Sequence, residues 1–295
     1  MLEVLVVVAC LVLLSGMLLP ALARARMKAQ AHGCLNNLKY LGTAATMYEY
    51  DNAGKMLYAA LHLRPGVEMS WDDLIDPYMG GTLTREERWA SPYSGRKGMP
   101  YLKCPSDHAP AIAQSGLGSL TSRRSYAMPH FIYRPESGMW PPSIQSRTGV
   151  GFSWSFDDDG TPDDMTCYTW NSVDRPDGDG SKERPYPRKQ WAMRSNLVLQ
   201  QNETILLTEQ IRSENLMGGA ANAVIDHAAQ HCETGTVKLG GGRVYNYAPA
   251  SSHHDSAFNY LMVDGHAELL EPEQTIRHGT ALNSQSKMWT IRAGD

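Results

Sequence analysis

The sequence predicts an α+β protein in which a long N-terminal α-helix packs on a C-terminal antiparallel β-sheet domain with long loops. The first observation is an uncharged apolar run over residues 4–23, preceded by Glu3 and followed by a basic cluster. The second is an apolar stripe at helical spacing that continues to residue 48, and the third is a set of short strand-like runs in the C-terminal half. About 20 apolar helical residues span a bilayer core, so the first run is long enough to cross a membrane.

The predicted helix continues beyond the apolar run as an amphipathic half. Apolar residues recur at spacings of three and four, which is the period of one helix face. This stripe consists of Met27, Ala31, Cys34, Leu38, Leu41, Ala45 and Tyr48. A stop signal follows at residues 51–54, which read Asp-Asn-Ala-Gly. We therefore divide the chain into an apolar half-helix at 1–26, which needs lipid or copies of itself around it, an amphipathic half-helix at 27–54 and a globular domain at 55–295.

The globular domain begins with a short predicted helix from Trp71 to Tyr78 and continues mainly as strands. We predict strands at five apolar runs, which are 125–133, 196–200, 204–208, 244–247 and 257–263. The last run is followed by Asp264-Gly265 and a further run at 266–270, and Asp-Gly between alternating runs is a strong hairpin signal. Residues 140–190 are rich in Gly, Pro and Asp, which predicts a loop-rich insertion.

Composition and motifs argue against two functional classes. The net charge of −4 and the pI near 6.2 give no case for nucleic acid as a partner. The sequence contains no phosphate loop, no nucleophile elbow and no convincing pair of catalytic carboxylates. We therefore expect a protein that is not an enzyme.

None of the five cysteines forms a CxxC pair, which argues against a zinc ribbon. Four of them can form disulfides if the domain lies outside the cytoplasm. Cys10 lies inside the apolar run, where it serves as a small hydrophobic residue. The disulfide candidates are Cys34, Cys104, Cys167 and Cys232. Four cysteines allow three pairings, and the sequence does not choose among them.

Two groups of residues are candidates for binding a metal, and no other cofactor is expected. Acidic loops in the insertion concentrate hard oxygen ligands, which suit calcium. These calcium candidates are Asp157, Asp159, Asp163, Asp177 and Asp179. The loops lack the closing Glu of a twelve-residue EF-hand, so a solvated acidic loop is the alternative. A weaker second candidate is the group His253, His254, Asp255, His266 and Glu268.

Several segments together resemble the bacterial prepilin-type proteins, which include type IV pilins and type II secretion pseudopilins. The C-terminal signature of this family is a His, nine residues and Asp-Gly, which here is His254, Asp264 and Gly265. The other matching segments, in chain order, are the apolar start with Glu3, residues 18–22, 34–38, 104–107, 125–128 and 204–209. The resemblance covers most of the chain outside residues 140–190.

The resemblance implies roles in assembly for three residues of the apolar half-helix. It implies that Glu3 pairs with the N-terminal amine of a neighbouring subunit, the alternative being a carboxylate that reaches the lipid headgroups. It also implies that the segment from Gly16 to Pro20 unwinds in a filament. The alternative there is a simple kink, because proline removes a helical hydrogen bond and clashes with the carbonyl of residue 16.

The resemblance also implies a basic leader that a peptidase removes, leaving the carboxylate as the fifth residue. Glu3 is the third residue here, and Pro20 is displaced by the same two places. We therefore expect either a start site assigned too late or a mature chain that lacks its first two residues, and a genuinely short N-terminus is the alternative. The basic residues Arg24, Arg26 and Lys28 would by themselves be held on the cytoplasmic side, whereas the resemblance places the C-terminal domain outside.

The expected function is that of a structural subunit of an extracellular type IV pilus-like filament. Its expected partners are copies of itself, the inner membrane before assembly, and the pilus or secretion assembly machinery. It would lie in the filament or at the cell surface, with a membrane-anchored pool held through residues 4–23. A type II secretion pseudopilin or minor pilin is the alternative in the same class. A membrane-anchored surface enzyme or sugar-binding domain is the alternative from another class.

Overall fold

The structure is a computed structural model, and it describes nearly all of the N-terminal helix and less than half of the C-terminal domain. The described residues are 2–64, 67–84, 87–88, 99–108, 122–129, 149–151, 153–155, 193–210, 215–219, 223–225, 236–239, 243–246, 254, 257–276 and 287–289. The calcium candidates at Asp157, Asp159, Asp163, Asp177 and Asp179 lie outside these ranges, as do Cys167 and Cys232.

The structure gives full bounds for two α-helices and ten strands. The helices are α1 Leu2–Asp51 and α2 Trp71–Ile75. The strands are β1 Ala60–Arg64, β2 Val67–Ser70, β3 Tyr126–Pro129, β4 Ser153–Ser155, β5 Ile205–Glu209, β6 Val224–Ile225, β7 Thr236–Leu239, β8 Arg243–Asn246, β9 Phe258–Met262 and β10 Ala267–Leu270. The predicted α+β class, a long N-terminal helix against an antiparallel sheet, is confirmed.

The helix α1 ends where the stop signal predicts, and its end has a recognisable backbone geometry. Ala53 and Gly54 both have positive φ, at 55° and 76°. The Gly54 N–H donates to the Glu49 carbonyl at 2.9 Å, which satisfies one of the carbonyls that a helix end leaves free. At 1.5 Å per residue, a helix of this length is about 75 Å long.

The main sheet has five strands in the order β10-β9-β5-β3-β6. The first four are antiparallel neighbours, and β6 pairs in parallel with β3. Every residue of β3, β5 and β9 is buried. Both faces of these central strands are therefore covered, one of them by α1. Two smaller sheets complete the described strands, one in the order β2-β1-β4 and the other a β7-β8 hairpin.

The larger apolar core lies between α1 and the main sheet. Leu38 and Leu41 of α1 and Leu207 and Leu261 of the sheet are all fully buried in it. Gly42 allows the close approach, because a Cβ placed there would lie 2.8 Å from Cδ1 of Leu261. A second cluster combines Ala127, Ile205, Ile225, Phe258, Tyr260, Met262 and Trp289.

Buried charged side chains lie close to α2, and the Arg124–Asp72 pair belongs to a hydrogen-bonded network. The Arg124 guanidinium is fully buried, pairs with Asp72, and donates to Asn215 Oδ1 at 2.6 Å and to the Gly219 carbonyl at 2.6 Å. Asp76 is also buried, and loss of hydration raises the pKa of its carboxyl group. The charge of Arg88 and a backbone hydrogen bond from Leu83 oppose that rise.

Two local predictions need correction. The run 196–200 was predicted as a strand, but residues Ser195–Leu197 form a 3₁₀ turn. The Gln201 side chain donates to the Ser195 carbonyl at 2.8 Å, which helps to close this turn. The helix predicted from Trp71 to Tyr78 is α2 followed by a 3₁₀ turn at Asp76–Met79, and it ends at Gly80 with φ 73°.

Candidate assembly helix and signature site

The N-terminal half of α1 projects from the domain with its apolar side chains uncovered. Large apolar side chains at residues 4–22 expose 51–78% of their surface. The helix is long and apolar enough to cross a membrane, and none of its most apolar window is buried inside the described chain. Burial against the domain begins at Ala31, since Met27, the first residue of the predicted stripe, is 46% exposed. The apolar half therefore needs lipid or another protein around it.

The three predicted assembly residues all lie on this uncovered half. Glu3 is exposed in the first turn of α1, where a carboxylate also interacts favourably with the helix dipole. Gly16 has open space around it, with nothing within 4 Å of the position that a Cβ would take. Pro20 lies inside a continuous helix. The segment from Gly16 to Pro20 is thus helical in the single chain, and its unwinding in a filament stays a prediction.

A disulfide joins the docked half of α1 to the sheet domain. Cys34 of α1 pairs with Cys104, which lies just after the 3₁₀ turn Pro100–Leu102, with a Cα–Cα distance of 4.8 Å. Both cysteines are buried. Closing a loop of 70 residues stabilises a fold by about 4 kcal/mol in the chain-entropy account. Disulfides of this kind are typical of proteins outside the cytoplasm.

The signature histidine lies beside this disulfide and is paired with a carboxylate. His254 Nε2 is 3.2 Å from Glu209 Oε1 and 3.7 Å from Cys104 Sγ, and His254 Nδ1 is 3.4 Å from Ser106 Oγ. The His254 side chain is only 1% exposed and that of Glu209 is fully buried. His254 has φ 46°, a left-handed conformation that is uncommon for residues other than glycine and is often found at functional sites.

The carboxylate of Glu209 is held in place from the neighbouring strand β9. Asn259 donates to it twice, from the backbone N–H to Oε2 at 2.8 Å and from Nδ2 to Oε1 at 3.0 Å. Nearby, Tyr126 donates its hydroxyl proton to the Cys34 carbonyl at 3.3 Å. Burial raises the pKa of Tyr126 well above its usual value, and the charge of Glu209 raises it further, so the hydroxyl stays a donor.

Five separate parts of the chain that carry the family resemblance thus meet around one disulfide. They are residues 34–38, 104–107, 125–128, 204–209 and His254. Ser125 links two of them, since its Oγ accepts from the Cys104 N–H at 3.0 Å and donates to Asp107. Asp107 also pairs with Arg123. We call the group Cys34, Cys104, Glu209 and His254 the signature cluster.

The other end of the signature has a separate structural role. Asp264 and Gly265 form the turn between β9 and β10, and Gly265 has φ 91°. Asp264 Oδ1 accepts from the His266 backbone N–H at 3.1 Å and lies 2.6 Å from His266 Nδ1. The strand β9 connects this exposed turn to the buried signature cluster.

The weaker metal prediction does not describe one site. His266 and Glu268 lie on the exposed hairpin, 3.3 Å apart between Nε2 and Oε1, whereas His254 is in the signature cluster. His253 and Asp255 lie outside the described residues. Within the described part, the potential ligand atoms of Cys34, Cys104, Glu209 and His254 all lie within 4.8 Å of one another. Glu209 was not among the predicted site residues, although a carboxylate at the end of an apolar strand is a signal that the sequence offers.

Comparison of the chain with protein-family models, with curated proteins and with solved structures finds no match. The architecture itself is pilin-like, because a long helix with an uncovered apolar N-terminal half packs its second half on an antiparallel sheet. The apolar helix points to attachment to a membrane or to secretion, and the buried disulfide points to a location outside the cytoplasm.

Proposed function

We propose that this chain is a structural subunit of an extracellular type IV pilus-like filament and that it acts by assembly rather than by catalysis. The observation that carries the proposal is the uncovered apolar surface of residues 4–22, continuous with a half-helix docked on a sheet. Soluble monomers rarely expose an apolar patch larger than a few hundred Å². This surface is therefore the best candidate for contact between subunits.

The size of the uncovered surface suits this role. Burying roughly 1,000 Å² of apolar surface is worth about 25 kcal/mol before the entropic costs of association. From Leu2 to Gln30 the helix rises about 42 Å, which exceeds the hydrocarbon thickness of about 30 Å. The same segment can thus anchor the subunit in the inner membrane before assembly and pack with other copies afterwards.

A filament subunit anchored in this way would also need an assembly machinery and neighbouring copies of itself. The assembly machinery of a pilus or secretion system would extract the subunit from the inner membrane, and the sheet domain would face outward. Glu3 would neutralise the N-terminal amine of a neighbouring copy in the filament core. A type II secretion pseudopilin or a minor pilin would use the same surfaces in a shorter filament.

The proposal can be tested by negative-stain microscopy of material sheared from cells that produce the full chain. Cys10 offers an internal probe, because it is an exposed free cysteine in the middle of the apolar half. Packed helices lie about 8–10 Å apart, so a bismaleimide of about that span should cross-link neighbouring subunits in filaments. The Cys10→Ser variant is the matched control and should lose the cross-links.

Filaments that contain the chain, with cross-links that depend on Cys10, would support the proposal. Filament length would separate a pilus from a short secretion filament. An abundant membrane-bound chain without filaments in the sheared fraction would contradict it. Cross-links of equal yield in the Cys10→Ser variant would mean that the apolar halves are not in contact.

A further inference from the structure

We infer that the signature cluster is a redox-gated metal site, in which Cys34, Cys104, Glu209 and His254 bind Zn²⁺ when the disulfide is reduced. The four side chains come from α1, from the segment after the 3₁₀ turn Pro100–Leu102, from β5 and from the residues just before β9. Their potential ligand atoms lie within 4.8 Å of one another in a buried setting. This inference does not depend on filament assembly.

Two of the distances between the ligand atoms already suit a tetrahedral zinc ion. With Zn–S bonds of about 2.3 Å and Zn–N or Zn–O bonds of about 2.0 Å, neighbouring ligand atoms lie about 3.3–3.8 Å apart. His254 Nε2 is 3.7 Å from Cys104 Sγ and 3.2 Å from Glu209 Oε1. The two sulfur atoms need to separate, which breaking the bond between them allows, and the ligand pairs that lie up to 4.8 Å apart need to move closer to the ion.

Surrounding groups already orient the two ligands that do not change oxidation state. His254 has its Nδ1 facing Ser106 Oγ at 3.4 Å, which leaves Nε2 directed at the sulfur and the carboxylate. Glu209 is fixed by the two hydrogen bonds from Asn259. Outer partners of this kind fix the orientation of metal ligands and commonly change metal affinity by about 10–100-fold.

The chemical types of the four ligands favour zinc over calcium and magnesium. Thiolate, imidazole and carboxylate groups are all ligands that zinc binds in tetrahedral sites, whereas calcium and magnesium prefer sites made only of oxygen. The exposed hairpin pair of His266 and Glu268 lacks sulfur and lies in solvent, so it provides a matched comparison within the same chain.

The chemical step is balanced by a thiol reductant. A protein dithiol reduces the Cys34–Cys104 bond by thiol–disulfide exchange. It gives two electrons and two protons, so the bond becomes two thiols and the dithiol becomes a disulfide. Zinc then binds the two thiolates and the two thiol protons pass to solvent. The metal and the disulfide are thus alternative links between α1 and the sheet domain.

The test uses the full chain in non-ionic detergent micelles and Co²⁺ as a spectroscopic substitute for Zn²⁺. A water-soluble phosphine reduces the disulfide and is itself converted to the phosphine oxide with oxygen from water. The reduced chain should bind one Co²⁺ with a thiolate-to-cobalt absorption band and tetrahedral ligand-field bands, and Zn²⁺ should abolish both. The oxidised chain should show neither.

Variants locate the site. His254→Ala and Glu209→Gln should each weaken Co²⁺ binding at least tenfold, and Cys104→Ser should abolish the thiolate band. His266→Ala and the double variant Cys167→Ser, Cys232→Ser are controls that should bind as the parent does. Circular dichroism checks the fold of each variant.

Two results would overturn the inference. One is a folded, reduced chain without a thiolate–cobalt band, or with a band that His254→Ala leaves unchanged. If reduction unfolds the chain, Zn²⁺ should restore the native circular dichroism by mass action. Failure of Zn²⁺ to restore it would overturn the inference in the same way.

Discussion

Alanine substitutions at Leu41 and Leu14 should separate the two roles of α1, because one side chain is buried in the domain and the other is uncovered. Leu41 is fully buried in the core between α1 and the sheet, whereas Leu14 is 66% exposed. Removing a buried leucine side chain typically costs about 2–5 kcal/mol, so we expect Leu41→Ala to lower the free energy of unfolding by about 3 kcal/mol. With a urea m-value near 3 kcal/mol/M for a domain of this size, the midpoint should fall by about 1 M.

Leu14→Ala makes the same chemical change on the other half of the same helix. It should alter the free energy of unfolding by less than about 0.5 kcal/mol, because its side chain touches no core. In a filament it removes apolar surface from every contact between subunits, at a cost of about 1–2 kcal/mol each. We therefore expect fewer filaments from a chain of normal stability.

The assay is a urea titration of each full chain in micelles, followed by tryptophan fluorescence, alongside filament yield from cells. Trp71 is a suitable reporter, since it is fully buried in the same cluster as Leu41. If Leu14→Ala lowers the urea midpoint as much as Leu41→Ala does, the apolar half packs on its own domain. Our division of α1 into a docked and an assembling half would then be wrong.

Four further predictions concern the N-terminal helix, the buried carboxyl of Asp76 and the acidic loops of the insertion. Glu3→Ala should leave the protein in the membrane but sharply lower filament yield, with Glu3→Asp as the control; a normal yield would exclude the amine pairing. A chain lacking residues 1–26 should be a folded, soluble monomer by light scattering, and its polymerisation would move the assembly contacts to the outer domain. Asp76→Asn should raise the melting temperature at pH 7 but not below about pH 4. The pKa of the Asp76 carboxyl is raised in the folded state, so the fold loses stability as pH rises through that pKa and the carboxyl becomes charged, whereas Asn stays neutral. An equal effect at both pH values would exclude titration as the cause. Calcium chelation should lower the melting temperature if the loops at 157–164 and 174–179 bind the ion, whereas an unchanged melting curve would leave them as solvated loops.

Elements that depend on local pattern were predictable from the sequence. The helix α1 follows from an uninterrupted helical period with a clear stop signal, and the β9–β10 hairpin follows from Asp264-Gly265 between two alternating runs. The run 196–200 shows that apolar composition alone does not identify a strand. Its apolar composition favours a strand, but Leu197 and Leu199 are exposed and the chain turns at Ser195 instead.

Features that depend on distant contacts were not predictable. The pairing of β3 with both β5 and β6, and of β1 with β4, joins segments separated by long stretches of chain. The signature cluster is of the same kind, since Cys34 and His254 have no sequence relationship that would place them together. The resemblance marked these positions individually, and only the fold shows that they share one location.

The Cys34–Cys104 bond has a mechanical consequence. It lies within one helical turn of Ala31, where α1 leaves the domain, so tension along the helix meets a covalent bond almost as soon as it reaches the domain. The disulfide therefore prevents tension from breaking the apolar contacts between α1 and the sheet one after another. In the proposed filament, we therefore expect stretching to lengthen α1 on the N-terminal side of Cys34, at Gly16 and Pro20, which weaken a helix, while the outer domains keep their shape.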